Sequence, residues 1–414
     1  DILEDLTDSM IQMGIRALEH HYGLWYDRRR DDHERVRRQD GEVWAPFYEL
    51  PFDRSGIDTA WDGLSRYDLT KYNDWYWARL KQFAGLADRK GLILIHHHYF
   101  QHNILEAGAH WADFPWRTSN NINNTGFPEP PPYAGDKRIF MDEQFYDVNH
   151  PVRQELHRAY IRKCISHTAG NEGVLHLVSA EYTGPLHFMK FWLDVIGEWE
   201  QETGKQLLIG LSATKDVQDS ILADPVRSAL IGLVDIRYWC YRADGTLYAP
   251  EGGLHLAPRQ YARLVNPGPR SFDQVYRAVS DYRMKYPEKP VIFSEGDYNR
   301  FPWAVFMAGG SLPALPPIGD SSFLKDATGM KPMQFQTGNG TVKALGSPVA
   351  GYILYMRPGD RLKPELAGSA RHFRLRKIDP LSGQIIHSST VSKGNNFFLA
   401  NETAGELVFW LKPE

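Results

Sequence analysis

Apolar residues along this chain follow two periods, one of 3.6 and one of 2, that alternate with each other. Residues 2–14 carry Ile2, Leu3, Leu6, Met10, Ile11 and Met13 and stop at Gly14, which predicts an amphipathic helix. A short strand over 15–20 runs into HHYGLWYDRRR, and a helix over 71–90 ends at Gly91 ahead of GLILIHHHYF, a buried strand at 92–97. The alternation continues with strands at 174–180, 207–211, 234–240, 290–294 and 312–316. Helices at 152–167, 187–203, 216–230, 271–286 and 300–308 are interleaved with them.

Strands separated by helices of this length imply βαβ units and a parallel sheet. Seven alternations, without a GxGxxG after the first strand, predict an α/β fold of the (β/α)8 TIM-barrel type. Seven strands are one short of eight, and this reading places the first barrel strand upstream of Asp1. From about residue 333 the period shortens to two, through TVKAL, GYILYMR, ARHFRLRKIDP, GQIIHSSTV, NFFLA and ELVFWLK, with turns at Pro380–Gly383 and Gly394–Asn396. That spacing predicts a small antiparallel β-sandwich. The expected domains are a barrel over 1–330 and a sandwich over 333–414, the second packed on the first because no low-complexity linker separates them.

Charge and composition narrow the function classes. With 51 acidic and 47 basic side chains in 414 residues, the chain lacks the basic field that nucleic-acid binding needs. Its longest apolar runs are far shorter than the roughly 20 residues that span a bilayer. Two cysteines, Cys164 and Cys240, exclude a disulfide framework and any CxxC metal motif. Aromatic residues make up 13%, including 12 Trp, and amphipathic rings at this density suit a protein that grips flat, hydroxylated ligands.

Chemistry in such barrels sits at the carboxyl ends of the strands. The residues there are His20 and His21; His96, His97 and His98; Glu181; Ser212; Arg237, Tyr238 and Trp239; and Glu295. Two glutamates, in LVSAEYTG and VIFSEGD, each follow an apolar run and a small residue. Paired carboxyls are the working parts of glycoside hydrolysis, one donating a proton to the leaving oxygen while the other attacks the anomeric carbon or activates water.

A glutamate after strand four and another after strand seven, counted from an absent first strand, resemble the clan A retaining glycoside hydrolases. The FPWAVFMAGG helix and the FRLRKIDPLSG-bearing sandwich resemble the apiosidase-like barrels of glycoside hydrolase family 140. That resemblance implies Glu181 as general acid/base and Glu295 as nucleophile. Many clan A members carry Asn immediately before the acid/base, whereas Ala180 stands here, so the resemblance does not extend to the identity of the sugar.

In the histidine run, alternation along a strand puts His96 and His98 on one face, expected to be the pocket, with His97 toward the helices. Sugar hydrogen bonding by His20, His21, His96 and His98 is the expectation; no metal and no cofactor are expected, because no HExxH spacing accompanies the cluster. The segment 107–136 is long and rich in Trp, Asn and Pro, and is expected to form a pocket wall from Trp111, Trp116 and Asn121. Arg237, Tyr238 and Trp239 complete the expected substrate contacts, and Trp25 and Trp303 fall on the same face. If Arg28 or Arg29 turns inward, a uronic-acid substrate follows. Together these readings give a retaining, exo-acting glycoside hydrolase acting on plant or microbial polysaccharide, secreted or periplasmic. Two other readings stay open: a non-catalytic carbohydrate-binding barrel, and a metal-dependent hydrolase using the histidines.

Overall fold

The computed structural model describes residues 2–24, 34–37, 50–105, 108–134, 138–296, 300–338, 340–394 and 397–414. The chain forms two compact units, the first of residues 1–239 and 249–267, the second of 240–248 and 268–414. The fold is mixed α/β, with parallel strands and intervening helices followed by antiparallel sheets.

In the first unit the strands Ala17–His20, Ile93–Phe100, Val174–Ala180, Leu208–Ser212 and Leu233–Ile236 lie side by side in chain order, each parallel to the next. Helices on the surface of such a sheet require strands that are apolar on both faces, and Val174–Ala180 is buried along its whole length. The ends of the helices follow from single residues. Asn73 caps Asp74–Lys90 by accepting from the Trp75 and Tyr76 amides, and Gly91 ends it at φ 64°, the left-handed conformation that favours glycine. The predicted helix at 216–230 is two helices, Lys215–Leu222 and Pro225–Leu230. Pro225 has no N–H to continue the first, and Asp224 caps the second through the Val226 and Arg227 amides.

Two features depart from the periodicity reading. The segment 312–316 forms no strand, since Pro313, Pro316 and Pro317 cannot donate to a ladder. Conversely, Phe52–Arg54 and Tyr67–Tyr72 form an antiparallel hairpin whose short arms show little alternation. Arg54 secures it, pairing with Asp62 at 2.6 Å and lying 3.8 Å over the Tyr67 ring.

The second unit contains Phe272–Lys285, the strand Val291–Phe293, the helices Pro302–Met307 and Ser322–Ala327, and the C-terminal strands. Six of these pair antiparallel in the order Lys331–Thr337, Gly340–Ser347, Gly351–Met356, Leu407–Pro413, His372–Ile378, Ile385–Ser392. Val342, Leu354, Phe373, Leu375, Phe409 and Leu411 share a core with Leu362 and Leu399 of a two-stranded sheet, which makes a lopsided sandwich. Phe323 packs on Trp410 and Trp303 on Tyr355, so the residues after 268 group with the C-terminal strands rather than ending at 330.

Candidate active site

At the carboxyl ends of the first unit's strands an ionic cluster forms that the strand-end reading only half anticipated. Glu19, the third residue of Ala17–His20, accepts from Arg237 Nη1 and Nη2, and His97 Nε2 lies 3.7 Å from its carboxylate. Arg237 also stands 3.9 Å from Asp235, a buried carboxylate that accepts from Ser212 Oγ at 2.8 Å. Burial would raise the Glu19 pKa, but the hydrogen bonds and charges of His97 and Arg237 hold it well below the usual carboxylate range. Burial alone would lower the Arg237 pKa, and the neighbouring Tyr238, Glu19 and Asp235 reverse that and raise it. Tyr238 is buried beside them, its phenol pKa pushed up first by burial.

Glu181 is the first residue past Val174–Ala180 and adopts φ 61°. A non-glycine side chain in that region costs on the order of 1–2 kcal/mol, so the surrounding structure must fix it there. Its Oε2 is buried without a hydrogen-bond partner among the described residues and lies 3.8 Å from His102 Nδ1. A carboxyl so placed has hydrogen-bonding capacity unspent.

In the second unit Glu295 is 6% exposed, and both its oxygens accept from the Arg270 guanidinium, through Nε and Nη2. Gly296 makes room for this fork: at φ 57° a Cβ there would stand 2.9 Å from Arg270 Nη2. Arg270 also interacts with Cys240, and although burial works against it the Glu295 carboxylate raises the Arg270 pKa. Burial pushes the Cys240 thiol up to about 12, which leaves it a weak nucleophile at neutral pH.

The histidines face the other way from the expectation. His97 points to Glu19 and Arg237, whereas His20, His96 and His176 occupy one row across three strands by register. His20 lies against Tyr76 of Asp74–Lys90, and His98 against Trp192 of Leu186–Thr203, so this row and His98 face helices and not a pocket. The Trp192 indole can only donate, and it donates to His98 Nδ1 at 2.9 Å. His98 Nε2 therefore carries the hydrogen and donates to His176 Nδ1 at 3.0 Å, and His176 Nε2 in turn faces Thr168 Oγ1 at 3.2 Å. Burial keeps these rings neutral, lowering His176 to about 3 and His98 well below the usual value. One ring nitrogen from each of His96, His98 and His176 lies within 4.8 Å of the others. A cation there would have to break the ordered chain, because both nitrogens of His98 and of His176 are already used. His21 stacks on Phe100 with ring centroids 4.2 Å apart.

The expected aromatic wall is interior. Trp111 packs on Phe114 and Phe127, and Trp116 stacks on His157 at 4.4 Å; both are fully buried. Asn121 spends its amide on the carbonyls of Pro115, Trp116 and Arg117, holding the segment to itself. Trp239 donates to Gln218 at 2.8 Å, and in the second unit Trp303 donates to Pro380 at 2.8 Å. Rings that fill a core and rings that grip a sugar are alike in sequence, and here packing took them. Trp25, Arg28 and Arg29 lie outside the described residues.

Residues 1–330 match the family described as "Domain of unknown function (DUF6298)". No curated protein sequence matches the chain. Among solved structures, one titled "Glycoside hydrolase" matches with a TM-score of 0.52 at 11% identity, over 100% of this chain and 89% of that one. A glycoside hydrolase family 5 structure from Bacteroides vulgatus ATCC 8482 matches with a TM-score of 0.50 at 9% identity, over 100% and 86%. A putative glycoside hydrolase from the same organism matches with a TM-score of 0.52 at 11% identity, over 100% and 76%. At these identities the likeness is one of fold.

Proposed function

The chain belongs to the DUF6298 family, whose description names no activity, and from its own residues we propose that it is a retaining, exo-acting glycoside hydrolase releasing sugars from plant or microbial polysaccharide. The observation that carries this reading is Glu181: an acid at the end of a parallel strand, in a left-handed backbone conformation, with an unspent buried carboxyl oxygen. Strain of that kind gathers where a side chain must be aimed. Glu181 is the general acid/base in this reading. Glu295 is the nucleophile, oriented by its pairing with Arg270, and attacks the anomeric carbon. The glycosyl-enzyme ester that forms is then hydrolysed by water, with Glu181 taking its proton.

A panel of aryl glycosides and pectin-derived oligosaccharides tests the roles. Glu295→Ala removes essentially all turnover. Glu181→Ala retains turnover on aryl glycosides with good leaving groups and loses it on alkyl ones, because only the latter need a proton donated. Equal, mild effects of both substitutions would refute the assignment.

A further inference from the structure

We propose that Glu19 sets the specificity of this site, receiving the hydroxyls of a neutral sugar ring and turning away uronates. The inference rests on the glycoside hydrolase reading and deepens it by naming the substrate class.

Four observations carry it. The Glu19 side chain is 41% exposed, yet its carboxylate is fixed by Arg237 and His97, so it is an oriented acceptor with lone pairs to spare. The neighbouring Tyr238 hydroxyl is buried and has no hydrogen-bond partner among the described residues. Glu181 Oε2 is in the same condition. Unpartnered polar atoms of this kind call for a partner, and a polyhydroxylated ring supplies donors and acceptors together. The phenol of Tyr238 lies in the field of Arg237, Asp235, Glu181 and Glu19, which makes these groups one electrostatic neighbourhood.

The pairing of charges in that neighbourhood selects the ligand. The Arg237 guanidinium and the His97 imidazole are both turned to the carboxylate of Glu19, and Arg237 also faces Asp235. A sugar carboxylate would have to compete with Glu19 and Asp235 for them, whereas hydroxyls would donate into the carboxylate of Glu19.

The test compares a neutral monosaccharide with its uronic acid by calorimetry, glucose against glucuronic acid and galactose against galacturonic acid, together with turnover of the matched nitrophenyl glycosides. The wild-type chain binds one neutral sugar at least about tenfold more tightly than its uronic acid, the scale of one hydrogen bond to a charged group. Glu19→Gln weakens the neutral sugar about tenfold and loses most of the discrimination. Tyr238→Phe weakens the neutral sugar while leaving Tm unchanged, since the hydroxyl it removes has no hydrogen-bond partner among the described residues; it and the wild-type comparison decide the matter if Glu19→Gln does not fold. Tighter or equal binding of the uronic acid by wild type overturns the proposal, as does binding of neither sugar, or retained discrimination in Glu19→Gln. Selective binding without turnover of any glycoside would instead sink the hydrolase reading and leave the specificity of Glu19 standing.

Discussion

The Arg270 guanidinium forks onto both oxygens of Glu295, so the pair sets a negative charge against a positive one in a buried place. Taking away one partner of such a pair leaves the other uncompensated, at a cost of about 3 kcal/mol or more. Arg270→Gln should therefore lower stability by that amount in urea denaturation. The double variant Arg270→Gln/Glu295→Gln should recover most of it, because the second change removes the stranded charge. Additive losses would mean that the pair is not coupled. Glu19 with Arg237 repeats the theme in the first unit, but there the carboxylate stays half exposed and open to a ligand.

At the scale of elements, the segment after Ile93–Phe100 shows how a sequence that looks like a binding loop becomes structure. Its asparagines are spent inside the unit: Asn120 on Ala112 and Phe114, Asn123 on Asp68 and the Leu69 amide, and Asn121 on three carbonyls. These bonds tie the segment to itself and to the Phe52–Tyr72 hairpin. Asn121→Ala takes its bond from the Pro115 carbonyl, while those of Trp116 and Arg117 keep Thr125 Oγ1 and the Asn120 amide, and should lower stability by about 1 kcal/mol, with KM for a turned-over glycoside unchanged. A raised KM at unchanged Tm would return Asn121 to the substrate.

For the molecule as a whole, the buried histidines couple folding to pH. His20, His157 and His176 are lowered by burial to about 3 in the native state and return to about 6.5 when unfolded. Between those values the unfolded chain binds more protons, so stability is full above about pH 6.5 and falls as pH drops toward 3. At pH 5 each histidine costs about 2 kcal/mol relative to pH 7.5. The urea midpoint should fall steeply between those two pH values, and a flat midpoint would mean that the rings are solvated. Glu19, with its lowered pKa, adds a loss of the same sign below the usual carboxylate range.

How much of this was legible depends on what period can carry. The 3.6 and 2 repeats gave six of the seven expected parallel-strand segments and most helix bounds, and strand ends marked Glu181 and Glu295 as positions. Alternation says which residues share a face but not which face is inner. The pocket expectation points His96 and His98 inward and His97 outward, whereas His97 is the one that meets Arg237's partner Glu19. Glu19 carries no strand-end signal because it lies one residue inside its strand, and the carboxylate's worth appears only once Arg237, 218 positions away, is beside it. The tryptophans misled because a ring's burial depends on partners far away in sequence.

The left-handed backbone at Glu181 has one more consequence. Glycine there would relax the chain, and the fold by itself gives no reason to keep a charged, γ-extended side chain in its place. A lineage released from chemistry would drift downhill toward a small residue at this position. Glu181 thus costs the fold a strain that glycine would not, and what the position provides in return is the placement of its carboxyl.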